Sequence, residues 1–126
     1  MTINVEKKVK TILIVEDTEL NIDLITQLLE DDYNLLIARD GEQGVGMAKD
    51  NNPDLILMDI SLPVMDGYEA TRQIRETNQS TPIIGLSAHA MAGHEQKARE
   101  AGCNDYLTKP INDQLLFDML KRYLSE

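Results

Sequence analysis

Three carboxylates carry the chemistry legible in this chain. Glu16 and Asp17 directly follow the apolar run Thr11–Val15, and Asp59 directly follows the apolar run that ends at Met58. Ser87 directly follows the apolar run Ile83–Leu86, and Lys109 stands at the end of a further short strand-like stretch, Asp105–Leu107. The three acids carry −3 and the lysine returns +1, which leaves −2 at the cluster. Carboxylates ~5 Å apart at an effective dielectric near 20 repel by about 3 kcal/mol per pair, and a divalent cation relieves this. Ligands that are all oxygen, few in number and leave room for water suit Mg²⁺, whereas Zn²⁺ prefers nitrogen and sulfur. His89, His94 and Cys103 lack the spacing of a zinc site. A cation at a carboxylate, beside an ammonium and a hydroxyl, is the parts list of phosphoryl transfer. Asp59 is then the best nucleophile, because the adjacent pair Glu16-Asp17 more naturally holds the ion.

These residues need a scaffold that brings them together. The apolar runs are continuous rather than alternating, as in strands covered on both faces. Strands are expected at Thr11–Val15, Asn34–Ala38, Asp54–Met58, Ile83–Leu86 and Asp105–Leu107. Helices are expected over Thr18–Glu30, from Asp40-Gly41, after Gly67 to about Thr77, over Met91–Ala101 and over Asn112–Leu124. Asp17 or Thr18 would cap the first helix, with Leu20, Leu24, Ile25 and Leu28 as its buried stripe. Gly44 and Gly46 would make the second helix the softest, at ~1 kcal/mol each relative to alanine. Gly102 would stop the fourth. Strands alternating with helices imply an α/β fold with a parallel sheet and right-handed crossovers. All five polar residues would then fall at the carboxyl edge of that sheet, where open α/β sheets keep their sites.

The bulk composition narrows the function classes. The chain has 126 residues, 42% hydrophobic and 27% charged, which fits one soluble globular domain. Residues 1–9 read as a short polar leader and residues 10–126 as the domain. No apolar run approaches the ~18 residues of a membrane span, and no signal-peptide pattern opens the sequence. A single cysteine, Cys103, is consistent with a reducing cytoplasm. Twelve basic against 22 acidic residues give a net charge of −10, which argues against nucleic acid or an anionic membrane as a partner.

From Lys10 to Leu124 the chain resembles a response-regulator receiver domain. The motifs are Ile14–Asp17, Leu57–Gly67, Ile84–Ala88 and Asp105–Pro110. The resemblance implies a flavodoxin-like, doubly wound five-stranded parallel sheet in the order 2-1-3-4-5, with five helices. It makes Asp59 the phospho-acceptor. Asp17 would ligate Mg²⁺ directly, Glu16 mainly through water, and the backbone carbonyl of Ser61 would complete the protein's ligands. Ser87 and Lys109 would hold the phosphoryl oxygens, Lys109-Pro110 would be cis, and Tyr106, with Ser87, would form the switch. Ser87 stands where the family often has threonine, so the hydroxyl survives and a methyl group is lost. Ser61 and His89 occupy positions that in this family tune hydrolysis of the phosphoryl group.

The expected function is a signalling switch that assists its own modification rather than an enzyme. A histidine kinase or histidine-phosphotransfer protein would donate to Asp59, and the region from the fourth helix to the fifth would change its contacts with a downstream protein. A monomer or weak dimer is expected. The initial methionine, with no linker after Leu124, fits a stand-alone receiver. The stretches Ser87–Met91 and Gly102–Asp105 equally fit a receiver belonging to a hybrid histidine kinase. On a helical wheel Ile22 lies at the edge of the apolar sector beside the acids, so it is expected to be exposed and to meet the donor. A flavodoxin-type electron carrier would need a phosphate loop where Glu16–Glu19 instead repels phosphate. A haloacid-dehalogenase-type phosphatase would need a second acid two residues after Asp59, where Ser61 stands.

Overall fold

A computed structural model describes residues 9–88 and 93–124 of the protein. Strands β1 (Thr11–Val15), β2 (Asn34–Ala38), β3 (Leu55–Asp59), β4 (Ile83–Ser87) and β5 (Asp105–Thr108) alternate with helices α1 (Glu19–Leu29), α2 (Gly41–Asn51), α3 (Gly67–Thr77), α4 (His94–Ala101) and α5 (Asp113–Leu124). All neighbouring strands pair in parallel, in the order β2-β1-β3-β4-β5. The expected fold and strand order are both present.

Alternation along the strands explains the two layers. Ile12, Ile14, Leu55, Leu57, Ile84 and Leu86 point to one face, where Ile25 and Leu29 of α1 and Leu116 and Leu120 of α5 cover them. Leu13, Val15, Ile56, Met58 and Ile83 point to the other, against Ala48 of α2, Ala70 and Ile74 of α3 and Ala98 of α4. With both faces dry, every residue of β3 and β4 is buried. Among the described residues no helix is long and apolar enough to cross a membrane.

Helix α1 departs from the expected packing. Its buried residues are Ile22, Ile25 and Leu29, whereas Leu20 and Leu24 are 66% and 51% exposed. Ile22, expected at the surface, is only 4% exposed. The apolar residues of this helix spread over an arc of about 200° at 100° per residue, wider than one face buries. The sheet claimed the Ile22–Ile25–Leu29 side of that arc and left the Leu20–Leu24 side in water.

Several boundaries differ from the expected ones by one residue. β3 and β4 each extend to their polar end residue, Asp59 and Ser87, and β5 reaches Thr108. Helix α4 begins at His94 after Gly93, whose φ is 99°. The expected start at Met91, and His89, lie outside the described residues. Gly102, with φ 122°, ends α4 as expected.

Candidate functional site at the carboxyl edge of the sheet

The site grows from the ends of three adjacent strands. β1 runs out at Val15, and the Glu16 N–H then donates to the Ala38 carbonyl at 2.9 Å, so β2 continues to hold the chain where the acids begin. The Thr18 N–H turns back to Glu16 Oε2 at 3.1 Å. Thr18 occupies the cap position of α1 without a side-chain capping bond, and Asp17 beside it is exposed. Asp59 ends β3, and the Ser61 N–H donates to its Oδ1 at 3.0 Å. The next turn closes through Ile60 N–H to Leu86 O and Gly67 N–H to Ile60 O. Lys109 follows β5, anchored by its N–H to the Ser87 carbonyl at 2.7 Å, and the Lys109-Pro110 peptide is cis.

These ends converge. Lys109 Nζ lies 2.8 Å from Glu16 Oε1 and 3.3 Å from Asp59 Oδ2. Glu16 is fully buried and Asp59 is 3% exposed. One carboxylate oxygen each from Glu16, Asp17 and Asp59 lies within 4.8 Å of the others. Ser87 is buried at the end of the neighbouring β4, where it pairs in register with Thr108. Tyr106 is half-buried on the same side of the sheet as Met58 and Ile83, next to Gly85 of β4. Glu16, Asp17, Asp59, Ser61, Ser87 and Lys109 thus share one sheet edge, whereas Tyr106 lies further back along β5 and Ile22 is buried on α1. No local signal predicts the direct Lys109–Glu16 pair, because the two residues stand 93 positions apart.

The electrostatics separate the two buried acids. Burial opposes ionisation of Glu16, but the Lys109 hydrogen bond, the Thr18 N–H and the lysine's charge outweigh it, and its pKa is lowered. For Asp59, burial comes first and the charge of Glu16 second. Lys109 and the Ser61 N–H offset them only partly, so its pKa is raised from 3.8 to about 6. Lys109 loses solvation, yet its bond to Glu16 and the charges of both acids raise its pKa, and it stays cationic. Two buried carboxylates facing one ammonium leave a charge deficit, and any shared proton falls on Asp59. Cys103, buried under Thr71, has its thiol pKa pushed up by burial and is no nucleophile.

The donor set fits a hard divalent cation. It consists of carboxylate oxygens with one exposed member, Asp17, so one side stays open to water. Buried acids beside a cation site, with an ammonium to receive negative oxygens, suit phosphoryl transfer to a carboxylate. A sequence model of the response regulator receiver domain matches residues 12–121. The chain belongs to the response-regulator receiver family. This receiver is 38% identical to the polar-differentiation response regulator DivK of Brucella anthropi over 120 residues, which covers 93% of this chain and 98% of the relative. It is 40% identical to the receiver domain of a sensor histidine kinase from Pseudomonas aeruginosa, solved with magnesium coordinated in its active-site cleft. That comparison has a TM-score of 0.86 and covers 93% of this chain and 98% of the other. A chain in the co-crystal structure of the Saccharomyces cerevisiae histidine phosphotransfer protein Ypd1 with the receiver domain of Ssk1 is 31% identical. Its TM-score is 0.85, with 93% and 91% of the two chains covered.

Two features of the site were not read from the sequence. Val64, in the loop between β3 and α3, has φ 67°, and no residue-type signal marks this because β-branched residues avoid that region. Gly41 opens α2 as the sequence predicts, and a Cβ there would overlap the Met65 carbonyl. An Asp-Gly pair opening a helix carries a signal for close backbone approach, but it does not name the partner.

Proposed function

We propose that this receiver accepts a phosphoryl group on Asp59 from a phosphohistidine donor, a histidine kinase or phosphotransfer protein, in the cytoplasm. The observation that carries this is the buried Asp59 carboxylate at the rim, 3.3 Å from Lys109 Nζ and within 4.8 Å of oxygens of Glu16 and Asp17. A carboxylate oxygen of Asp59 attacks phosphorus, the bond from phosphorus to the donor nitrogen breaks, and its electron pair leaves with the imidazole. Mg²⁺ held by Glu16, Asp17, Asp59 and the Ser61 carbonyl would supply positive charge to the transferring oxygens. Lys109 supplies the second positive charge, and the Ser87 hydroxyl donates to a phosphoryl oxygen. The Ser61 N–H holds the attacking carboxylate in place. Hydrolysis of the acyl phosphate by water returns Asp59, so the domain assists both steps.

Once the phosphoryl group draws on Lys109 and Ser87, their present contacts change, and β4, α4, β5 and α5 carry the change to a downstream protein. Tyr106 on β5 lies within that region. The donor is expected to dock on the exposed side of α1 rather than through Ile22. Leu24 and Leu28 border a groove of about 440 Å³ that continues past Lys109 to Pro110 and Ile111.

Intact-mass measurement after incubation with acetyl phosphate and Mg²⁺ tests the reading. One phosphoryl adduct is expected on the wild type and none on Asp59→Asn. An adduct that persists in the variant places the acceptor elsewhere.

A further inference from the structure

Helix α2 brings two of its three glycines, Gly41 and Gly44, against segments that flank the site. A Cβ on Gly41 would overlap the carbonyl of Met65, and a Cβ on Gly44 would meet both Val15 methyls at 3.0 Å. Val15 immediately precedes Glu16, and Met65 lies on the loop that begins at Ser61. Gly46, by contrast, has nothing within 4 Å and acts as a natural control.

The first turn of α2 is held firmly. The Asp40 carboxylate accepts from the Gln43 N–H at 2.8 Å, and the Gln43 carboxamide returns a contact to the Arg39 N–H at 3.0 Å. Ala38, two residues earlier, holds the Glu16 N–H. The loop it backs is strained. Met65 N–H donates to Pro63 O at 2.7 Å around Val64 at φ 67°, a tight three-residue turn unfavourable for a β-branched residue. Val64 is 80% exposed, so its own side chain does little to hold that conformation. Its restraints include the Asp66 cap on Glu69 N–H, the Gly67–Ile60 bond, the burial of Leu62 in the core and the seat that Gly41 leaves for Met65.

We propose that Gly41, seconded by Gly44, is a positioning residue of the phosphorylation site. By letting α2 touch backbone, it holds the strained β3–α3 loop so that Ser61 keeps its orientation toward Asp59. This rests on the reading of Asp59 and its acids as the cation and phosphoryl site. Nothing in Gly41 reaches that site; it acts through Met65.

The test measures Mg²⁺ affinity by calorimetry on the metal-free full chain, and amide exchange over residues 61–66 by mass spectrometry. Variants are Gly41→Ala, Gly44→Ala, Gly46→Ala and Ala48→Gly. Gly41→Ala should weaken Mg²⁺ binding about tenfold, the low end for groups that orient metal ligands, and speed exchange in the loop. Gly44→Ala should shift both the same way, and Gly46→Ala should match the wild type. Ala48→Gly weakens the helix without touching either contact, so it should lose thermal stability while retaining wild-type affinity. A folded Gly41→Ala protein with affinity within about twofold of wild type overturns the proposal, given the tenfold floor for orienting groups. Equal losses in Ala48→Gly and Gly41→Ala overturn it as well, by reducing the effect to helix stability. If Gly41→Ala does not fold, Gly44→Ala is judged by the same criteria. A wild type that binds no Mg²⁺ sinks the functional reading instead, and loop exchange alone then decides the role of Gly41.

Discussion

Replacing Asp59 by asparagine should make the metal-free protein more stable, although Asp59 is the proposed phospho-acceptor. In the fold its pKa stands at about 6 against an ordinary 3.8. At about 1.4 kcal/mol per tenfold change in proton affinity, that difference is worth about 3 kcal/mol. Asp59 is 3% exposed, so solvent screening does not reduce this much. The raised pKa means that the folded state binds the proton more tightly than the unfolded chain. Stability contributed by the protonated form is complete below about pH 4 and is lost as pH rises through about 6. Asparagine imitates the neutral carboxyl at every pH, keeps an acceptor for the Ser61 N–H, and leaves Glu16 and Lys109 as a balanced pair. The stability gap should therefore be near zero at pH 4 and reach about 2–3 kcal/mol at pH 7.5, or about 10 °C in melting temperature for a domain of this size. The assay is urea and thermal unfolding in EDTA at both pH values, then with Mg²⁺. A hundredfold excess of Mg²⁺ over its dissociation constant stabilises the wild type by about 2.7 kcal/mol, which should close most of the gap. Equal stability of the two proteins at pH 7.5 without metal, or a gap that does not change with pH, would refute the account of Asp59 as a buried, underpaired charge.

Three further outcomes follow from the same geometry. Because the cation and the Asp59 proton compete for one carboxylate, Mg²⁺ affinity measured by calorimetry should fall about tenfold per pH unit below about 6 and level off above it; an affinity flat from pH 5 to 8 contradicts this. Val64→Gly removes a strained β-branched residue whose side chain is mostly in water, so urea unfolding should show a gain of about 1 kcal/mol; a loss of stability would mean that the turn is unstrained. Leu24→Ala should impair transfer from the cognate phosphohistidine donor by about tenfold, as expected for truncating one good apolar contact, while phosphorylation by acetyl phosphate stays at the wild-type rate; equal effects on both donors would place Leu24 in the chemistry rather than in docking.

Much of the fold was legible because its signals are local. Runs such as Leu55–Met58 are too apolar for any place but a sheet covered on both sides, and each ends where a polar residue begins. The acids, the hydroxyl and the lysine at those ends needed only parallel strands to share one edge. Asp40 and Gly102 marked helix ends through chemistry that acts within a few residues. The orientation of α1 was not local. Six apolar residues offered more surface than the sheet could cover, so Ile22 and Leu20 exchanged the places expected of them only when the helix packed against the sheet.

The sequence by itself determined the order of elements, the two dry faces of the sheet and the gathering of Glu16, Asp17, Asp59, Ser87 and Lys109 at its carboxyl rim. Those follow from residue type and period along the chain. Tertiary structure alone decided that Lys109 pairs with Glu16, that Asp59 is left holding the charge deficit, and that Gly41 presses against Met65. Each of these depends on distances between segments far apart in sequence, and burial sets how strongly the charges among them act.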